Sequence, residues 1–232
     1  MKDEEKSKAQ LLEEITALRR ELDDIQAFAD PEWRRVEKWR QNFEILQEML
    51  EEVLEVLEGR DPNLVEHQRR VTRLACAIAG EMGLALERIE GLSIAAMLHD
   101  IGKVFIPPEI LTKTEPLTDL ETTLIQAHSQ AGYNLLQNLD FSQPVAQIVL
   151  QHHERMDGSG YPAKLKGEEI ILEARILAVP DVVEAMAYAR PYRHNLGINR
   201  ALQEISRNRG ALYDPEVVDI CLRLFERGFD FL

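Results

Sequence analysis

The stretch AAMLHDIGK, residues 95–103, ends an apolar helical run in an adjacent histidine and aspartate, followed at once by Gly102 and Lys103. Successive residues on a helix stand about 100° apart, so the His99 imidazole and the Asp100 carboxylate can face one cavity if the helix stops at its wall. A metal ion there would take a nitrogen from His99, and Asp100 could bridge it to a second ion. A fold built on this pair has to bring partners to it. The chain holds six histidines, His67, His99, His128, His152, His153 and His194, and the first five fall in or at the ends of expected helices with apolar neighbours.

Those helices are read from period and punctuation. Leu11, Ile15, Leu18, Leu22, Ile25 and Ala29 alternate in spacings of four and three, a coiled-coil seam of about three heptads. This reads as a parallel dimer helix, the stub of a signalling linker; a solvated amphipathic helix docked on its own domain is the competing reading. Asp30-Pro31 starts a second helix that stops at Gly59, and Asp61-Pro62 starts a third, carrying Val65, Val71, Leu74, Ala75 and Ile78 and ending near Gly83. A further helix covers about 86–100. Thr118 and Glu121 form a capping box opening the helix that contains His128. Pro144 starts the helix that ends in His152-His153, and a loop with Gly158, Gly160 and Pro162 follows. Another helical run, about 170–188, carries Asp181, and Asn199 and Asp214-Pro215 start the last two helices. No period-2 pattern of useful length is found. The fold class is therefore all-α.

Burying five histidines, Asp100 and Asp181 without partners would cost a few kcal/mol each. A shared divalent site satisfies them together. Imidazole and carboxylate without thiolate suit Mn, Fe, Zn or Ni and fit a cysteine-based structural zinc site poorly. Seven candidate donors exceed what one tetrahedral ion uses. Two ions about 3.5–4 Å apart, bridged by Asp100, form the economical arrangement, and such a pair suits phosphodiester hydrolysis.

Composition narrows the class further. The net charge of −14 over 232 residues argues against binding polymeric nucleic acid, while leaving room for a small phosphorylated ligand in a locally basic pocket. No run approaches the ~18 apolar residues of a membrane helix, and the opening MKDEEKSKAQ has no signal-peptide core. Cys76 and Cys221 sit in apolar helical patterns and read as core residues rather than a disulfide, which points to a reducing cytoplasm.

An extended set of strings carries a family likeness: HQRRV at 67–71, LHDIGKVFIP at 98–107, HSQAGYNLL at 128–136, HHERMDGSGYP at 152–162, LKGEEI at 165–170, LEARILAVPDVVEAM at 172–186 and RPYR at 190–193. From about residue 41 to the end the chain resembles the HD-GYP domain, the branch of the HD phosphohydrolase superfamily that cleaves cyclic dinucleotides in bacteria. The resemblance implies an HD-superfamily bundle of five or more core helices over residues 41–232, preceded by the N-terminal linker at 1–40. It implies metal ligands at His67, His99, Asp100 and Asp181, with His128, His152 and His153 at a second metal. It places Lys103 on the scissile phosphate, the Gly160-Tyr161-Pro162 loop beside the substrate, and Arg190 and Arg193 on phosphates or guanine bases. His194 matches no ligand position and is read as a surface residue.

The implied activity is hydrolysis of cyclic di-GMP to linear pGpG or GMP at a dinuclear Fe or Mn centre with a hydroxide nucleophile, Asp100 and Lys103 serving the reaction. Cyclic GMP-AMP as substrate, or a catalytically silent receptor signalling through the N-terminal helix, are the alternatives. A homodimer through that helix and an upstream sensor or receiver domain are expected. Two departures stand out. Asn63 occupies the position where some members carry a third-metal glutamate, so two ions are expected. Pro180 directly precedes Asp181, so the helix there either kinks or is already broken.

Overall fold

The computed structural model describes residues 64–188 and 196–231. The expected coiled coil, the helix over 30–59, the Asp61-Pro62 start, Asn63, Arg190, Arg193 and His194 all lie outside the described residues. Among the described residues the chain forms nine α-helices and two short 3₁₀ turns, with no strand beyond an isolated Arg209–Tyr213 bridge. In order these are α1 (Leu64–Glu81), α2 (Leu86–Leu98), a 3₁₀ turn (Ile101–Phe105), α3 (Pro108–Leu111), α4 (Asp119–Gln126), α5 (His128–Leu136), α6 (Val145–Gln151), a second 3₁₀ turn (Gly167–Glu169), α7 (Leu172–Ala187), α8 (Ile198–Arg207) and α9 (Pro215–Glu226). The all-α expectation holds.

The core forms where α1 packs on α2 and α7, with α6 behind α2 and α7, and α8 and α9 closing the far side. Val71, Leu74, Ala75 and Ile78 of α1 recur at helical spacing and are fully buried, facing Leu92, Ala95 and Ala96 of α2 and Ile176, Leu177 and Val183 of α7. Each large aliphatic side chain removed from water in this way contributes roughly 1.5–3 kcal/mol. Cys221 is buried and Cys76 half-buried, both unpaired. Burial pushes their thiols up, to about 12 and about 11, as expected of core residues. No helix among the described residues is long and apolar enough to cross a membrane.

The punctuation marks most boundaries. At the end of α1 the Leu84 N–H donates to Ala79 O at 3.1 Å and the Gly83 N–H to Gly80 O at 3.0 Å, with Gly83 at φ +71°, the paired bonds of a Schellman stop. The Thr118–Glu121 capping box opens α4, and Asp214 caps α9 by accepting from the Glu216 N–H. Two expectations need correction. The capping-box helix does not reach His128: it ends at Gln126, Ala127 turns the chain, and His128 opens α5. Its ring Nδ1 donates to the Ile125 carbonyl in the last turn of α4, which the Ala127 N–H also reaches. The start of α8 also moves, to Ile198 rather than Asn199, from Gly197 at φ +81°. Finally, α7 runs through Pro180 without a break, so Asp181 sits inside a continuous helix.

Gly102 fixes the 3₁₀ turn against α5. A Cβ built there would lie 2.0 Å from the His128 carbonyl oxygen and 2.6 Å from the Gly132 nitrogen, both backbone atoms. No side chain fits without moving one helix from the other. Gly102→Ala is therefore expected to lower stability by about 1–3 kcal/mol, read from urea unfolding; an unchanged unfolding midpoint would show that the two backbones separate freely.

Candidate metal centre

The helix ends converge on one point. His67 comes from the first turn of α1, His99 and Asp100 from the turn after α2, His128 from the start of α5, His152 and His153 from the end of α6, and Asp181 from the middle of α7. All seven residues picked out in the sequence meet there. Six are nearly or fully buried, and His153 is half-buried.

Three of the rings are aimed by one device. A helix leaves its last carbonyls without intrahelical donors, and at three helix ends an imidazole three residues on supplies one. His99 Nδ1 donates to Ala96 O at 2.7 Å, His128 Nδ1 to Ile125 O at 2.6 Å and His152 Nδ1 to Val149 O at 2.6 Å. A carbonyl oxygen only accepts, so each Nδ1 carries the proton and each Nε2 points inward. His67 is aimed differently, through a bond from its Nδ1 to the buried Glu184 carboxylate.

The inward nitrogens then face one another. His67 Nε2 lies 3.3 Å from His99 Nε2, and His128 Nε2 lies 3.4 Å from His152 Nε2. Burial pushes His99 and His128 below the usual imidazole range, and burial together with neighbouring His153 pushes His152 well below it. Burial likewise lowers His153, to about 3. His128 and His152, kept neutral by burial and already protonated on Nδ1, present lone pairs to each other across their gap. Such contacts repel unless a cation lies between them, and this donor set is of the kind divalent transition metals take.

The carboxylates complete the arrangement. Asp100 turns Oδ2 toward His99 Nε2 at 3.5 Å and His67 Nε2 at 3.8 Å, and Oδ1 toward His128 Nε2 at 3.4 Å. One carboxylate thus spans both halves of the cluster. Asp181 places Oδ1 at 3.4 Å from His67 Nε2 and Oδ2 at 3.9 Å from His153 Nδ1. Burial works against ionising either acid. Lys103 beside Asp100, and His67 and the other histidines beside Asp181, outweigh it and hold both carboxyls well below the usual range. Two groups without a shared member, His67/His99/Asp181 and His128/His152/His153, each bring three donor atoms within 4.8 Å of one another, and His99/Asp100/His152 forms a third such group between them.

Around the cluster, Lys103 Nζ lies 2.7 Å from Asp100 Oδ2. The Tyr161 ring stacks at 4.7 Å on His153, and burial pushes its phenol up. Gly160 is buried beneath that loop, where a Cβ would lie 2.5 Å from the His153 carbonyl oxygen and the Arg155 nitrogen; Pro162 is exposed, after a cis peptide bond. Three buried or half-buried residues with a part in this site were not picked out from the sequence. Glu154 accepts the Ala163 and Leu165 N–H groups at 2.7 and 3.0 Å and ties down the loop that carries Tyr161. Glu184 holds His67, and Arg70 holds Glu184. The three-residue spacing of Asp181 and Glu184 on one helix face was a usable signal.

A helical bundle with histidines and aspartates gathered at its helix ends defines a class of metal-centred domain, and comparison with known proteins places the chain within it. The HD domain family model matches residues 48–217. The chain belongs to the HD domain family. It is 42% identical to a cyclic di-GMP phosphodiesterase response regulator of Xanthomonas campestris, over 76% of this chain and 47% of that one, and 42% identical to a cyclic di-GMP phosphodiesterase of Thermotoga maritima, over 78% and 51%. It thus spans about half the length of these relatives. Among solved structures, an HDG"Y"P protein of Bdellovibrio bacteriovorus shares the fold, with a TM-score of 0.57 at 18% identity over 69% of this chain and 51% of that one.

Divalent ions are expected to stabilise chelator-treated protein strongly, because they bind the folded cluster and not the open chain. At a hundredfold excess of Mn(II) or Zn(II) over its Kd the gain is about 2.7 kcal/mol, visible as a raised thermal midpoint. A midpoint indifferent to both ions would exclude the cluster as a metal site.

Proposed function

We propose that this domain hydrolyses a phosphodiester bond of cyclic di-GMP. The observation that carries the reading is the Asp100 carboxylate, whose two oxygens face two separate sets of imidazole nitrogens. The names of the two relatives at 42% identity support the substrate class. Two ions, Fe or Mn, fit the donor set, and Asn63 argues against a third. When bound, such ions supply Lewis-acid polarisation of phosphoryl oxygens and a water acidified enough to attack near neutral pH.

The chain's own residues do the rest. His67, His99 and Asp181 would hold one ion and His128, His152 and His153 the other, with the Asp100 carboxylate facing both groups. Lys103, a point charge at the edge of the cluster, neutralises negative charge that gathers on the phosphate as the bond to the 3′ oxygen breaks. Its pairing with Asp100 keeps its ammonium beside the reacting group before substrate arrives. Tyr161, stacked on His153, borders the place where the dinucleotide lies, and Gly160 lets its loop approach the α6 end closely. Arg190 and Arg193 are assigned to phosphates or guanines on the strength of the RPYR string, as planar forks suited to either. A homodimer through the helix over 1–40, joined to a sensor or receiver domain, is the assembly that fits a signalling enzyme in the cytoplasm.

Anaerobically purified protein loaded with Mn(II) or Fe(II) is expected to convert cyclic di-GMP to linear pGpG or GMP, faster than it cleaves cyclic GMP-AMP. Asp100→Ala is expected to lose turnover and metal together. Cyclic di-GMP bound tightly without product would move the domain to the receptor class, and an Asp100→Ala variant with full metal and activity would remove the bridging role.

A further inference from the structure

We propose that Glu184 is a positioning residue for the metal centre: its carboxylate fixes the proton of His67 on Nδ1 and so turns Nε2 into a donor for the cation. The inference rests on the reading of the cluster as a metal site.

His67 differs from the other inward rings. His99, His128 and His152 are oriented by carbonyls three residues back, a contact that each helix end provides locally. His67 sits in the first turn of α1, at the start of a helix rather than at its end. Its orientation is supplied from 117 residues away, by Glu184 on α7. That carboxylate is buried, with 2% of its surface exposed, and it lies one turn beyond Asp181 on the same helix. A single segment of α7 thus sets one donor, Asp181, and the ring of another, His67.

Glu184 is itself held. Its Oε1 accepts from Arg70 Nε at 2.8 Å and faces Arg70 Nη2 at 2.7 Å, while Oε2 serves His67. The Arg70 guanidinium lies 4.0 Å from the Tyr188 ring centroid, and Arg70 also reaches Glu66 at 3.3 Å. Each oxygen of Glu184 therefore has its own donor. A glutamine cannot replace it: one end of an amide accepts and the other donates, so an amide serving His67 turns its NH₂ group onto Arg70. A carboxylate on the outer nitrogen of a metal-bound imidazole also makes that ring a stronger donor, and losing such a partner typically costs 10–100-fold in metal affinity.

Glu184 also joins α7 to α1 through Arg70, so a purely structural role has to be separated from a positioning one. Arg70→Met breaks the helix-to-helix pair and leaves the bond to His67; Glu184→Gln keeps the volume and removes the carboxylate. Mn(II) titrations of chelator-treated full chain, followed by the electron paramagnetic resonance of the free ion, compare both variants with wild type. Both are expected to melt at lower temperature. Glu184→Gln is expected to bind its weakest-held ion about 10–100-fold less tightly, and Arg70→Met as tightly as wild type. Equal losses in the two variants, or no loss in Glu184→Gln, overturn the proposal. Wild type that takes up no Mn(II) overturns the metal-site reading instead.

A measurement on the wild type keeps the question open to test if Glu184→Gln does not fold. In zinc-loaded protein with ¹⁵N-labelled histidine, long-range ¹H–¹⁵N correlation is expected to show His67 protonated at Nδ1 and metal-bound at Nε2. Metal on Nδ1 refutes it.

Discussion

The structure depends on a contact that is small in itself, an imidazole N–H donating to the free carbonyl at a helix end. It occurs at Ala96, Ile125 and Val149, and each time it satisfies a backbone group that the helix cannot. The same bond fixes the tautomer, so the remaining nitrogen of each ring must face inward as an acceptor. Placing three helix ends near one another is then enough to build a pocket of lone pairs. The apolar core that packs α2, α5 and α6 together is what makes those ends meet.

This explains why the helices break where they do. A continuous helix from Thr118 onward would bond Ile125 O to the backbone and leave His128 to swing with the helix surface. Ending α4 at Gln126 opens that carbonyl to the ring and lets α5 begin at His128. Gly102 reinforces the geometry from the other side, because only a residue without a Cβ lets the turn after Asp100 lie against the His128 carbonyl. The His99–Asp100 turn and the α4–α5 break are thus held in contact by backbone packing, and the spacing between Asp100 and His128 follows from it.

Most of this was legible in the sequence because it is written in local signals. Apolar periodicity gave the helices, Gly83 and Asp214-Pro215 gave their ends, and the histidines stood at helix termini where their roles could be anticipated. What could not be read were contacts whose partners are remote or whose signal is ambiguous. The capping box at Thr118 announces where a helix starts and carries no information about where it stops, and the alanine at 127 is as good a helix former as any. Glu154 and Glu184 look like ordinary surface acids until the fold buries them and gives each two donors. Pro180 has the opposite lesson: a residue that weakens a helix by itself is tolerated where burial on both sides of it holds α7 together.

The electrostatics add a constraint that packing alone does not. Two buried carboxylates and a set of buried neutral imidazoles form a site whose donors are all of one kind, electron-pair bearing. Lys103 is a permanent positive charge beside it, paired with Oδ2 of Asp100. Desolvation costs several kcal/mol for each such ion, so the apolar core must carry the energetic burden of holding the cluster in place until a cation arrives. The deeply buried aliphatic rows of α1, α2 and α7 lie directly behind the ligands, on the same helices. At His67 the fold recruits a side chain from another helix, Glu184 of α7. Glu184 carries the placement of α7 into the His67 ring on α1, while Arg70 braces Glu184 from the same helix as His67. The His67 side of the centre is therefore set by two helices, where the carbonyl-held rings are each set by a contact three residues away.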